Sequence, residues 1–215
     1  MVVRAKKRRP RAYHHGDARA ALLTAALRLI ERDGTASFSL REAAREVGVD
    51  PATSYRHFAD RQGVLIALGQ RGFQELAERF EEAKAETKGT PAERLEAMGE
   101  AYLRFAFARA AEFRIMFGES GLHSRDARMR PPDLERSPFE LLEDVCHAVV
   151  EPLGGKPSAT ELATRAWAIA HGVARLAMDG AVPMSTEEAI NLLSSVLKPY
   201  LSGLKTPSGR GASRA

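Results

Sequence analysis

Four groups of residues in this 215-residue chain have the types and spacing to do chemistry. The first, Gly118-Glu119-Ser120-Gly121-Leu122, approaches the turn that exposes a nucleophilic serine, but Leu122 stands where a glycine is required and no strand-like run precedes it. The second sets Cys146 beside His147, and a helix points consecutive side chains about 100° apart. In the third, Trp167 precedes His171 by four residues, so both lie on one helical face. The fourth, Thr53, Tyr55, Arg56 and His57, gathers hydroxyls and cations suited to phosphate oxygens and base edges, unlike the Glu/Lys mixture of an ordinary solvated face. His14, His15, His57, His123, His147 and His171 show no His-Glu-x-x-His spacing, and no glycine-rich loop is present to cradle a phosphate. The chemistry on offer is binding to a polyanion rather than catalysis; no enzyme activity, cofactor or metal is expected.

Apolar residues recur at i, i+3, i+4 and i+7 from end to end and strand patterns are almost absent, which predicts an all-α fold. Nine helices are expected at about 17–33, 40–47, 51–57, 60–85, 91–109, 111–117, 137–150, 159–180 and 185–203. Five sites match the reciprocal capping box: Ser39/Glu42, Thr90/Glu93, Ser137/Glu140, Ser158/Glu161 and Ser185/Glu188, with Pro91 and Pro138 at first helical positions. Asp17 is expected to cap the first helix, whose inward stripe is Leu23, Ala26, Leu27 and Ile30, and Gly34 to stop it. The next helix turns Leu40, Ala43, Ala44 and Val47 inward and stops at Gly48. Asp50 then reads as an N-cap and Pro51 as the first residue of a third helix. Two short helices joined by a tight glycine-containing turn form the helix-turn-helix plan, with Ala44 allowing close approach and Val49 plugging the space between them. Breaks are expected across 118–136 and at Pro152, Gly154, Gly155 and Pro157. The predicted organisation is a disordered basic arm (1–16), a helix-turn-helix domain (17–62), a larger helical domain (63–205) and a disordered tail (206–215).

The composition, 44% hydrophobic and 28% charged, is that of a globular protein. The single Cys146 forbids an intrachain disulfide and a Cys-rich zinc site. No apolar stretch reaches the roughly 18 residues of a membrane span, and the basic N-terminus lacks the apolar core of a secretory signal. A cytoplasmic protein without membrane contact is expected. Six cations and no acid lie in residues 1–16, whereas the stretch from 17 to 70 balances seven against seven, so the net charge of +4 arises at the ends. Such an arm, with Arg8 and Arg9 at its centre, fits either a polyanion or a solvated tail.

The run from Ser39 to Val49, Ser-Leu-Arg-Glu-Ala-Ala-Arg-Glu-Val-Gly-Val, followed by Tyr55-Arg56-His57-Phe58, resembles the DNA-binding domain of the TetR family, AcrR-like regulators included, over about residues 17–70. The resemblance implies that Ser39 and Arg41 touch backbone and base edge, that Thr53, Tyr55, Arg56 and His57 do so from the recognition helix, and that Arg61 meets a phosphate. The sequence departs from the family pattern at Asp50, Ala52 and Ser54, where Ser or Thr, Gly, and an apolar residue are usual. An Arg-rich arm beside such a domain can enter the adjacent minor groove. Trp167-Ala168-Ile169-Ala170-His171-Gly172 is similar to the Trp-x-x-x-His-Gly signature of one TetR subfamily, as is Tyr13-His14-His15-Gly16 to its N-terminus.

In the second half, Phe105, Phe107, Phe113, Met116, Phe117 and Phe139, with Trp167 and His171, fit either an apolar ligand cavity or plain core; His171 equally fits a satisfied core histidine. Ala166, Ala170 and Ala174 on one helix, and Ile190, Leu193, Leu197 and Leu201 on the last, form stripes suited to a four-helix interface in a homodimer, or to internal packing. The resemblance implies a transcriptional regulator with an operator duplex and a small, largely apolar effector as partners, most often a repressor. Activation on the same fold, a helical enzyme and a peripheral membrane protein are the alternatives. Deleting residues 1–11 removes six cations. DNA titrated over a salt series should then show weaker binding and a shallower slope of log K against log salt; an unchanged slope rejects a role for the arm.

Overall fold

The computed structural model describes residues 15–119 and 134–204. Most of the basic arm with Arg8 and Arg9, the turn residues Ser120 to Leu122, His123 and the tail from 206 lie outside the described residues. Everything described is helix, turn or coil: α1 (His15–Asp33), α2 (Leu40–Glu46), α3 (Pro51–His57), α4 (Arg61–Glu86), α5 (Pro91–Ala108), α6 (Ala110–Arg114), α7 (Pro138–Val150), α8 (Ala159–Met178) and α9 (Thr186–Gly203). The chain divides into two compact units, one ending at Ala67 and one beginning at Leu68, and α4 is continuous through the division.

In the first unit the predicted stripe Leu23, Ala26, Leu27 and Ile30 is buried, joined by Leu22, Ala25 and Leu29. α1 begins at His15, so Asp17 stands in the first turn and not at the cap. Gly34, at φ +79°, ends the helix by donating to the Ile30 carbonyl at 2.9 Å. Arg32 donates to Glu42 at 3.1 Å and Arg28 pairs with Glu46 at 3.1 Å, pinning α1 to α2 from its solvent side. The Arg32 contact has a consequence at the start of α2. Glu42 is drawn away, the predicted capping box with Ser39 does not form, and the Ser39 hydroxyl makes no cap hydrogen bond.

In the second unit α5 is the central helix, packed against α7, α8 and α9. Thr90/Glu93, Ser137/Glu140 and Ser185/Glu188 form complete capping boxes. At Ser158 only half the box is present, because the Glu161 carboxylate pairs with Arg165. The predicted helix 111–117 is instead the short α6 followed by a π-helical turn, Ile115–Glu119, whose i→i+5 hydrogen bonds each span one residue more than those of an α-helix. This turn lies close against α4: a Cβ added at Gly72 would stand 2.5 Å from Met116 Sδ, and Met116 is fully buried. A Gly72→Ala substitution is therefore expected to destabilise by about 1–2 kcal/mol despite the better helix propensity of alanine. The measurement is urea unfolding; a gain in stability contradicts the close approach.

Candidate nucleic-acid interface and ligand cavity

The helix-turn-helix is assembled by backbone hydrogen bonds before any side chain reaches outward. Gly48 takes the left-handed conformation at φ +69° and donates to the Arg45 carbonyl at 3.2 Å, while Val49 donates to Ala44 at 2.9 Å. These paired bonds close α2 as a Schellman motif, and the positive φ needs the glycine. Asp50 accepts from the amides of Ala52 at 2.8 Å and Thr53 at 3.3 Å, so its charge is turned onto the N-terminus of α3 and away from an approaching phosphate. Ser54 is completely buried and donates to the Pro51 carbonyl at 2.7 Å, which lets a hydroxyl occupy a position where an apolar side chain is usual.

On the opposite side of α3, Tyr55 is 44% exposed, Arg56 is exposed, and Thr53 and His57 are half-buried. Arg41 is exposed on α2, with a half-buried Ser39 just before it. Neither Arg41 nor Arg56 has an ion-pair partner among the described residues, whereas Arg28 and Arg32 are paired. Arg61, expected to meet a phosphate, donates from its guanidinium to the Thr35 carbonyl and braces the loop after α1. Behind this face, Arg19 stacks 5.0 Å over the Phe58 ring, and Phe58 is buried.

The second unit holds a narrow apolar cavity whose free interior is about 30 Å³, so an occupant larger than a few atoms has to move the side chains of its wall. Its walls include Phe73 and Phe80 of α4, Met98 and Tyr102 of α5, Phe139 of α7 and Trp167 of α8. Of the residues predicted for a pocket, Phe117, Phe139 and Trp167 line it. Phe105, Phe113 and Met116 do not; each is wholly buried in the core around it. Phe107 packs at the margin of that core. His171 stands behind the wall. Its Nδ1 lies 2.7 Å from the Tyr102 hydroxyl, whose oxygen also accepts from Trp167 Nε1 at 3.3 Å. Phe113 and Phe117 flank the imidazole at 5.5 and 4.8 Å between ring centroids. Tyr102 is the residue that sequence reasoning misses, although Leu95, Met98 and Tyr102 follow helical spacing along one stripe of α5.

The predicted pairing stripe also needs correction. Ala166, Ala170, Ala174, Leu193, Leu197 and Leu201 are buried within the chain's own core, and Ile190 is half-buried against it, because α5 and α7 already cover those faces. The exposed apolar side chains are different ones: Leu176, Val182, Leu192 and Val196, each 42–48% exposed. Cys146 is buried in α7, which pushes its thiol up to about 12 with help from Glu143, while His147 is exposed. No helix among the described residues is long and apolar enough to cross a membrane, and no group of three metal-ligating side chains occurs among them.

Residues 22–68 match the model of bacterial regulatory proteins of the tetR family, and residues 95–200 match that of the tetracyclin repressor-like C-terminal domain. Together they cover more than two thirds of the chain. The chain belongs to the TetR family. Its fold is similar to that of a protein of unknown function from Rhodococcus sp. RHA1, with 29% identity and a TM-score of 0.72 over 90% of this chain and 98% of that one. It is also similar to a tetR-family regulatory protein from Rhodococcus RHA1, with 18% identity and a TM-score of 0.64 over 88% and 97%. A third likeness is to the TetR regulator PfmR from Thermus thermophilus, with 22% identity and a TM-score of 0.59 over 90% and 99%. No curated protein matches the sequence. As a TetR-family chain it is a DNA-binding transcriptional regulator, and the tetR-family match over residues 22–68 takes in most of α1, all of α2 and α3 and the start of α4.

In this TetR-family fold the polar chain behind the cavity has a pH signature. Burial holds the His171 imidazole below its ordinary 6.5, and the nearby Arg175 guanidinium adds to the effect. The folded chain resists protonating this ring and the unfolded chain does not. The stability contributed by the neutral ring is therefore complete above pH ~6.5 and is lost as pH falls toward the lowered folded value. Melting temperature followed by circular dichroism should drop more steeply below pH ~6.5 in the wild type than in His171→Gln. Parallel curves for the two proteins contradict the assignment.

Proposed function

We propose that the chain acts as a dimeric repressor, released from its operator when a small, largely apolar molecule fills the cavity of the second unit. The observation that carries the DNA half is the outward set of Arg41, Tyr55 and Arg56, unpaired donors presented from two helices whose turn is locked from behind. Thr53 and His57 widen that surface, Ser39 offers a hydroxyl left free of its cap, and Arg8, Arg9 and Arg61 add cationic contacts with phosphate. Two copies reading successive major grooves need pairing. The exposed Leu192 and Val196, one turn apart on α9, with Leu176 on α8, supply the apolar face for it. Release by ligand requires that the effector bind the operator-incompetent form more tightly, and a coupling of about 1–3 kcal/mol changes operator affinity roughly 5- to 150-fold.

Inside the second unit, the route for that coupling starts at the cavity wall. Phe117 belongs to the π-helical turn, which also holds Met116 against Gly72 of α4, and α6 just before it holds Glu112 against Arg71. A ligand that displaces Phe117 therefore bears on α4, the helix shared with the DNA-binding unit. Repression is favoured over activation because residues 95–200 match the tetracyclin repressor-like C-terminal domain. A gel-retardation assay tests the whole reading with duplex from upstream of the protein's own gene, against excess random duplex. The wild type should retard it, Arg41→Ala and Tyr55→Ala should lose about tenfold or more in affinity, and Leu192→Glu with Val196→Glu should run as a monomer in gel filtration and bind weakly. Full specific binding by both α2 and α3 variants overturns the assignment of the face.

A further inference from the structure

The chemistry of the cavity wall goes beyond its apolar character, because it sets the charge and the one polar group that an occupant can carry. Among the described lining residues no side chain is ionised at neutral pH, and only the side chains of Tyr102 and Trp167 bear an O–H or N–H. Tyr102 is 3% exposed, and burial raises its phenol well above the usual range, so it keeps its proton.

The hydrogen bonds around that phenol fix its direction. The indole Nε1–H of Trp167 can only donate, so the Tyr102 oxygen accepts from it. The phenolic O–H has one acceptor near it, the Nδ1 of His171, and donating there places the imidazole proton on Nε2. Every polar hydrogen in the cavity wall is then engaged, and one lone pair of the Tyr102 oxygen is left over. That lone pair accepts from an occupant's hydroxyl. If the imidazole takes the other tautomer, Nδ1–H donates to Tyr102 and the phenolic O–H is released to an occupant's carbonyl oxygen. Neither arrangement supplies a positive charge. An ionised carboxylate in this cavity would lose its water and gain at most one neutral donor, a large cost for a buried anion.

Resting on the reading of this cavity as the effector site, we propose that the effector is an uncharged, largely apolar molecule with a single hydroxyl or carbonyl group, held by Tyr102 and selected against its carboxylate counterpart. Tyr102 is the specificity-determining contact; His171 and Trp167 are positioning residues that orient its hydroxyl.

Trp167 is the chain's only tryptophan and stands in the wall, so its fluorescence reads occupancy directly, without DNA. The probes are 1-octanol and octanoate at pH 8, alike in length and different in charge. Octanol should change Trp167 emission at concentrations about tenfold or more below those at which octanoate does. Tyr102→Phe should weaken octanol binding about five- to tenfold and leave octanoate unchanged. If that variant loses its helical circular dichroism, the comparison of the two probes on the wild type decides alone. Octanoate binding as tightly as octanol, equal octanol binding by a folded Tyr102→Phe, or no response to either probe overturns the proposal. In each of those cases retardation of operator duplex by the same preparation shows that the DNA-binding reading stands apart.

Discussion

A carboxylate sealed from water governs how the second unit is built. Glu112 is 2% exposed, and a buried anion without partners is not tolerated, so the chain around it must deliver cations. Arg71 of α4 does so through two donors on one carboxylate oxygen, at 2.9 and 2.6 Å, and Arg109 approaches the other oxygen at 3.9 Å. Arg109 in turn shares Glu75 with Arg79, which extends the network along α4. Satisfying Glu112 draws α6 onto α4 at one register. From there the π-helical turn follows, Met116 seats over Gly72, and Phe117 is directed into the cavity wall. Breaking such a pair by removing one partner typically costs about 3–5 kcal/mol, whereas replacing both with apolar residues need cost little. The pair is therefore better understood as fixing register than as adding stability.

The DNA-binding unit follows a different rule. Its outward face must stay polar and unpaired, so its rigidity has to come from behind and below. The two bonds of the Gly48 turn, the Asp50 cap, the inward bond of Ser54 and the Arg61 clamp on Thr35 all consume polar groups without using the exposed side of α3. The departures at Asp50 and Ser54 from the common family pattern are accommodated in this way, one by a helix N-terminus and the other by a carbonyl. On the proposed reading, preorganisation of this kind leaves Arg41, Tyr55 and Arg56 with little to rearrange on meeting a duplex.

Features that depend on neighbours along the chain are legible in the amino-acid sequence alone. Helix existence and most boundaries follow from caps, prolines and period, and the helix-turn-helix follows from Gly48, Asp50 and Pro51 standing in order. Inferences that depend on neighbours in space fare worse. The Ser39 box is undone by Arg32, ten residues before the glutamate it captures. The alanine stripe of α8 and the leucine-rich stripe of α9 look alike whether a second copy or the chain's own helices cover them, because periodicity gives a face and never its partner. Tyr102 escapes a reading of the sequence because a tyrosine in an apolar stripe carries no mark of whether its hydroxyl meets solvent, core or ligand. Only the meeting of α5 with α8, 69 residues apart at His171, gives that hydroxyl a role.

On the proposed reading, the two sites also answer to different solution variables. Contacts with phosphate release counterions, so the affinity of the DNA face falls steeply as salt rises. The cavity gathers apolar area and neutral hydrogen bonds, and ions screen neither of these to a comparable degree. Rising salt thus weakens operator binding while leaving effector affinity nearly constant. The coupling between sites is a difference between two bound states, each with the same phosphate contacts apart from those that the effector disrupts. If the effector acts by withdrawing whole recognition helices from the duplex, the coupling itself must depend on salt. If it acts by a small loss of fit while the phosphate contacts persist, the coupling must be nearly independent of salt. The close seating of Met116 on Gly72 and of Glu112 on Arg71 leaves little room for large displacement of the turn against α4, which favours the second.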